Sequence, residues 1–117
     1  MGLEVELERR RGALIVRLGG ELDHHTAGEV RARIDSAMAR GDTRDLVLSL
    51  KNLTFMDSSG IGVVLGRYRQ LARRGGRLVI CDVSPAVLRL FELSGLLKIL
   101  AVEENVERAL SRLEGAS

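Results

Sequence analysis

Three segments of the chain hold residue types that can do chemistry: Asp23-His24-His25, Asp57-Ser58-Ser59-Gly60, and the glycines Gly60, Gly62 and Gly66. An aspartate followed by two histidines offers metal ligands or an acid–base pair. Adjacent side chains of an extended segment point to opposite sides, however, and the chain contains only 2 histidines. A polar loop capping the next helix is the expected role. The glycines read G-x-G-x-x-x-G, one residue away from the dinucleotide fingerprint, and no strand with an acidic end follows at the right distance. Close packing of a helix against a sheet is expected to account for Gly62 and Gly66. A serine triad lacks the G-x-S-x-G elbow, and both candidate bases lie in one short loop far upstream. The rival reading is a small nucleotide-binding protein or hydrolase built on the Asp23 loop and the glycine helix.

Asp57-Ser58-Ser59-Gly60 is the most informative stretch. It lies where a strand-side loop, Leu53 to Met56, turns into a helix beginning near Ser59. One serine suffices as N-cap, which leaves the second small, exposed and free. Backbone N–H groups and the positive end of the dipole at a helix start favour an added phosphate. Local physics therefore leaves two roles open for this stretch, helix capping or a modification site. If Ser59 caps by accepting from the Gly62 N–H, Ser58 is the free hydroxyl.

The elements that position these residues are legible from periodicity. Leu3 to Glu8 and Ala13 to Leu18 read as strands joined by a turn at Arg10-Arg11-Gly12. Ala27, Val30, Ile34 and Ala37/Met38 mark a helix between Thr26 as N-cap and Gly41 as C-cap. Leu46–Leu50 and Leu78–Cys81 are buried-type strands. Ile61, Val64, Leu65, Tyr68, Leu71 and Ala72 mark a helix over 59–74. Pro85 opens a further helix, Lys98 to Val102 reads as a last strand, and Val106 to Leu113 as a last helix. The order β-β-α-β-α-β-α-β-α implies an α/β fold: a mostly parallel, mixed sheet with an N-terminal antiparallel hairpin and helices packed on it.

With 117 residues, 45% hydrophobic and 29% charged, residues 1–117 read as a single globular domain. One cysteine, Cys81, excludes an internal disulfide and a cysteine metal cage. Apolar runs are far shorter than the ~20 residues of a membrane helix, and no signal-peptide pattern opens the chain, so a cytoplasmic protein without membrane contact is expected. Net charge is +2. The one basic concentration, Arg67, Arg69, Arg73, Arg74 and Arg77, reads as a solvated helix face. With Phe55, Tyr68 and Phe91 as the only aromatics, it lacks the stacking residues of a nucleic-acid site.

Gly20-Glu21-Leu22-Asp23-His24-His25-Thr26-Ala27 and Phe55-Met56-Asp57-Ser58-Ser59-Gly60-Ile61-Gly62 resemble segments of the STAS domain family, in particular its anti-sigma factor antagonists of the sporulation type. Arg67-Tyr68, Ser84-Pro85-Ala86-Val87 and Phe91 to Leu96 extend the likeness over nearly the whole chain. The resemblance implies a non-enzymatic switch with no cofactor of its own. Ser58 would be the phosphate acceptor, and Asp23, Asp57, Ser58, Ser59, Gly60 and Ile61 the docking face. The implied partners are an ATP/ADP-binding anti-sigma factor that is also the serine kinase, and a phosphatase that resets the switch. The unphosphorylated form would bind the ADP-loaded kinase and free a sporulation sigma factor. A non-switching scaffold subunit of a stress-signalling assembly is the alternative within the family.

Overall fold

The chain begins as a hairpin. Strands β1 (Leu3–Arg10) and β2 (Ala13–Leu22) pair antiparallel, with Arg10 opposite Ala13. The two residues between them, Arg11 and Gly12, both have positive φ (55° and 77°), the turn whose twist matches that of paired strands. In this computed structural model, which describes residues 2–115, there follow α1 (Ala27–Arg40), β3 (Asp45–Met56), α2 (Ser58–Arg73), β4 (Leu78–Cys81) and α3 (Pro85–Leu93). A single 3-10 turn (Leu96–Lys98), β5 (Ala101–Glu103) and α4 (Val106–Gly115) complete the order, which is the one the periodicity implied.

The sheet has five strands in the order β1-β2-β3-β4-β5, parallel everywhere except the β1–β2 hairpin. Its two faces carry separate cores. Leu14, Val16, Leu18, Leu46, Leu48, Leu50 and Ile80 pack against Val30, Ile34 and Ala37 of α1, Val63, Val64 and Leu71 of α2, and Val87 and Phe91 of α3. On the opposite face Ile15, Val47, Val79 and Cys81 meet Ala109, Leu110 and Leu113 of α4. Burial on both faces explains why β3 and β4 read as continuous apolar runs.

Four local expectations are corrected. The second strand does not end at Leu18: β2 runs through Gly19-Gly20 to Leu22, and β3 continues to Met56 rather than giving way to a loop at Leu53. Between these strands the register slips twice, after Arg17 and after Gly20, with one extra β3 residue each time. Gly20 has φ +87, and a Cβ there would fall 2.1 Å from the Gly2 carbonyl oxygen, so the bulged segment demands glycine. The last strand covers only Ala101–Glu103, because Leu96–Lys98 form the 3-10 turn. Finally, Arg67 is not on a solvated face but is only 9% exposed, and Arg77 donates to the Leu113 carbonyl oxygen at 2.6 Å. Cys81 is buried; desolvation first, then the neighbouring Asp82 carboxylate, push its thiol up to about 12, so it is chemically inert in the folded chain.

Candidate partner-binding site

Leu22 lies opposite Met56 in the parallel register, so the chain leaves β2 and β3 side by side. The next residues are Asp23 and Asp57, and the Asp57 N–H donates to the Leu22 carbonyl oxygen at 3.3 Å. Two carboxylates far apart in sequence thus emerge from neighbouring strands at the starts of α1 and α2. Because β2-α1-β3 and β3-α2-β4 are both parallel crossovers onto one face, the two helices begin at the same end of the sheet.

Asp57, not a serine, caps α2: its Oδ1 accepts from the Ser59 N–H at 2.8 Å. The expected Ser59 cap onto the Gly62 N–H is absent; an aspartate in extended conformation (φ −116, ψ −167) reaches the helix amides first. Ser58 is then the first helical residue. It is exposed, and its hydroxyl has no hydrogen-bond partner among the described residues, whereas Ser59 is half-buried. No acidic residue follows in the first turn, so the helix dipole faces Ser58 opposed only by the capping carboxylate.

Gly60 is the glycine that packs. A Cβ there would lie 2.5 Å from Met56 Cγ and 3.0 Å from Leu22 Cγ, whereas Gly62 and Gly66 have nothing within 4 Å, which overturns their expected role against the sheet. The sign of an alanine substitution should therefore differ along one helix. Gly62→Ala and Gly66→Ala are expected to stabilise by up to about 1 kcal/mol each through helix propensity. Gly60→Ala is expected to destabilise by roughly 1–2 kcal/mol, overpacking exceeding that gain; denaturant titration reads both. Lying inside α2, the glycines also form no phosphate-cradling loop ahead of a helix, which removes the main support for nucleotide binding. Ile61 is half-buried against the core.

Asp23 organises its own turn. Its Oδ1 accepts from the N–H groups of His25 (2.8 Å) and Thr26 (3.1 Å), while the Thr26 hydroxyl accepts from the Asp23 N–H (3.0 Å) and donates to the Glu21 carbonyl oxygen (2.8 Å). Thr26 occupies the N-cap position of α1 without a side-chain capping bond. Desolvation works to raise the Asp23 pKa, but the His25 and Thr26 donors outweigh it, and the carboxyl sits below its ordinary value. The turn's contribution to stability is accordingly complete above the ordinary carboxylate range and is lost as pH falls through the depressed value. The segment is a turn rather than an extended strand, so His24 and His25 do not diverge as expected: their rings lie 3.9 Å apart at 40°. Neither is hydrogen-bonded to a serine, and no group of three metal-ligating side chains occurs among the described residues. Reading 53–56 as a loop also hid Phe55, which stands 48% exposed on β3 opposite Glu21, two residues before Asp57.

A five-stranded mixed sheet thus brings two aspartates and an unpartnered serine hydroxyl to two neighbouring helix starts at one end of the sheet. The chain belongs to the STAS domain family, whose model matches residues 4–109. It is 53% identical over 117 residues, all of both chains, to the anti-sigma F factor antagonist of Paenibacillus polymyxa. To the anti-sigma F factor antagonist of Lysinibacillus sphaericus it is 37% identical over 115 residues, 98% of this chain and 97% of that one. Two solved structures show the same fold: the anti-sigma factor antagonist SpoIIAA in its unphosphorylated form and the Bacillus cell fate determinant SpoIIAA in the phosphorylated form. The first has a TM-score of 0.76 and 34% identity over 96% of this chain and 99% of that one. The second has 0.74 and 37% over 94% and 99%.

Proposed function

We propose that the chain is an anti-sigma factor antagonist of the sporulation type, a single-domain cytoplasmic regulator and not an enzyme, switched at Ser58. The observation that carries this reading is the exposed, unpartnered Ser58 hydroxyl at the start of α2, beside the carboxylates of Asp23 and Asp57. The antagonist relatives support the class. No helix among the described residues is long and apolar enough to cross a membrane.

In this reading the unphosphorylated chain binds the ADP-loaded anti-sigma factor through Asp23, Asp57, Ser58, Ser59, Gly60 and Ile61, and the sigma factor is released. In the ATP state the same partner acts as kinase. The Ser58 Oγ attacks the γ-phosphorus, the bond from that phosphorus to the bridging oxygen breaks, ADP leaves, and the hydroxyl proton passes to a base of the kinase. A phosphatase later hydrolyses the ester to serine and inorganic phosphate. The direct test mixes the purified chain with the cognate ATP-binding anti-sigma factor. Binding in ADP, transfer of labelled phosphate from ATP, and displacement of the sigma factor are the expected results. Nucleotide turnover by the chain alone would favour the rival instead.

Asp23 separates turn-building from docking. Its Oδ1 holds the turn, while Oδ2 has no hydrogen bond among the described residues and is open to a partner arginine or lysine. Asp23→Asn keeps an acceptor for the turn and removes the charge. It is expected to melt within a few degrees of wild type yet bind the ADP-loaded partner about tenfold or more weakly, since breaking one side of an interfacial charge pair costs about 2–5 kcal/mol. A lower melting temperature with unchanged affinity would leave Asp23 with the turn alone.

A further inference from the structure

Arg67 and Asp35 form an ion pair between α2 and α1, with Arg67 Nε 3.3 Å from Asp35 Oδ1. Arg67 is 9% exposed, on the side of α2 that carries Gly60, Val63, Val64 and Leu71 into the core. The contact is attraction without hydrogen-bond alignment: Arg67 Nε and Nη1 and Asp35 Oδ1 are buried with no hydrogen-bond partner among the described residues. The Asp35 side chain keeps 36% of its surface and solvent screens the attraction, while the buried Arg67 guanidinium bears a desolvation cost that its incomplete bonding offsets poorly, so the pair adds little net stability. Stability is therefore a poor account of why these two residues stand here.

Geometry offers a better one. The rest of the α1 contact face is Ala27, Val30, Ile34, Ala37 and Met38, apolar groups whose attraction has no preferred direction. An ion pair instead acts between one point on each helix, so its energy falls off as those points slide apart. Asp35 lies eight residues after Ala27, the first residue of α1, and Arg67 nine after Ser58, the first of α2. At about 1.5 Å per residue the pair sits roughly 12–14 Å behind both helix starts. Tying the helices at matched depth fixes how far one can slide along the other, and a slide would be carried to the Asp23 turn feeding α1 and to Ser58 opening α2. We propose that the Arg67–Asp35 pair is a positioning device that holds α1 and α2 in the register presenting Asp23 and Ser58 as one docking surface. The idea rests on the proposed antagonist function.

The test is the double variant Asp35→Leu/Arg67→Met, which removes both charges and leaves an apolar side chain on each helix. It is expected to melt within a few degrees of wild type while binding the purified ADP-loaded anti-sigma factor at least tenfold more weakly. Arg67→Lys keeps a charge where no bidentate bond exists to be lost, and is expected to bind within threefold of wild type. A second measurement needs no partner. Nitroxide labels at Glu29→Cys and Arg69→Cys, both exposed positions, report the spacing of the helices, with buried Cys81 left unlabelled. A narrow distance distribution in the parent and a broadened or shifted one in the double variant are expected. Unchanged distances in the double variant, or binding within twofold of wild type, would overturn the inference. If the wild type itself binds no anti-sigma factor the proposed function fails, and the label distances still decide whether the pair sets the register.

Discussion

Ser58→Ala is expected to abolish phosphate incorporation from ATP by the cognate anti-sigma kinase, a loss of more than a hundredfold, while leaving the melting temperature within a degree or two of wild type. The argument is one of access and occupancy. Ser58 is exposed at the first helical position, and its hydroxyl makes no hydrogen bond among the described residues, so nothing in the fold is lost with it. Surface substitutions of this kind normally stay within about 0.5 kcal/mol. Ser59 differs in being half-buried, and its amide, not its hydroxyl, takes part in the cap. Ser59→Ala should thus retain phosphorylation and cost little. The cap itself belongs to Asp57, and Asp57→Ala should cost about 1 kcal/mol of stability. Fragmentation mass spectrometry that places the phosphate on Ser59 in the wild-type protein would sink the assignment.

The cap shows where reading the sequence reaches its limit. The position of the helix start and the exposure of one serine follow from the Asp57-Ser58-Ser59-Gly60 pattern. Which side chain takes the helix amides depends on the backbone angles at Asp57, and those are set by the strand it leaves. The apolar spacing of Ala27, Val30, Ile34 and Ala37, and the short run Leu78–Cys81, were decisive because periodicity and burial coincide there. The strand past Gly19-Gly20 was hidden because glycines that signal turns in isolation are required here by the close approach of Gly2 and a bulged register. Arg67 falls on the core stripe by its spacing from Val63, Val64 and Leu71, but its charge signals a solvated face in one dimension, and its partner Asp35 lies on another helix. The pairing of Leu22 with Met56, which joins Asp23 to Ser58, is a register fact that one-dimensional patterns do not carry.

That juxtaposition also governs the second large effect. Phosphate on Ser58 adds roughly −1.5 to −2 charges at neutral pH, at an end of the sheet where Asp23 and Asp57 already stand at neighbouring helix starts. In the free protein the added charge is tolerable, because solvent covers it and the start of α2 presents its positive dipole end. A partner pressed over the same turn must strip that solvent, and the phosphate then meets two carboxylates of its own chain and the phosphates of the partner's nucleotide. An unpaired buried charge costs several kcal/mol, whereas weakening binding a hundredfold takes only about 2.7 kcal/mol. Desolvation and repulsion suffice, without any rearrangement of the domain. Full phosphorylation is therefore expected to weaken binding to the ADP-loaded anti-sigma factor about a hundredfold, and Ser58→Asp, with one smaller charge, at least tenfold. Isothermal calorimetry measures both. Equal affinities for the unmodified and phosphorylated chains would end the switch hypothesis, and amide chemical-shift changes spread far from Ser58 would replace electrostatic exclusion with a conformational mechanism.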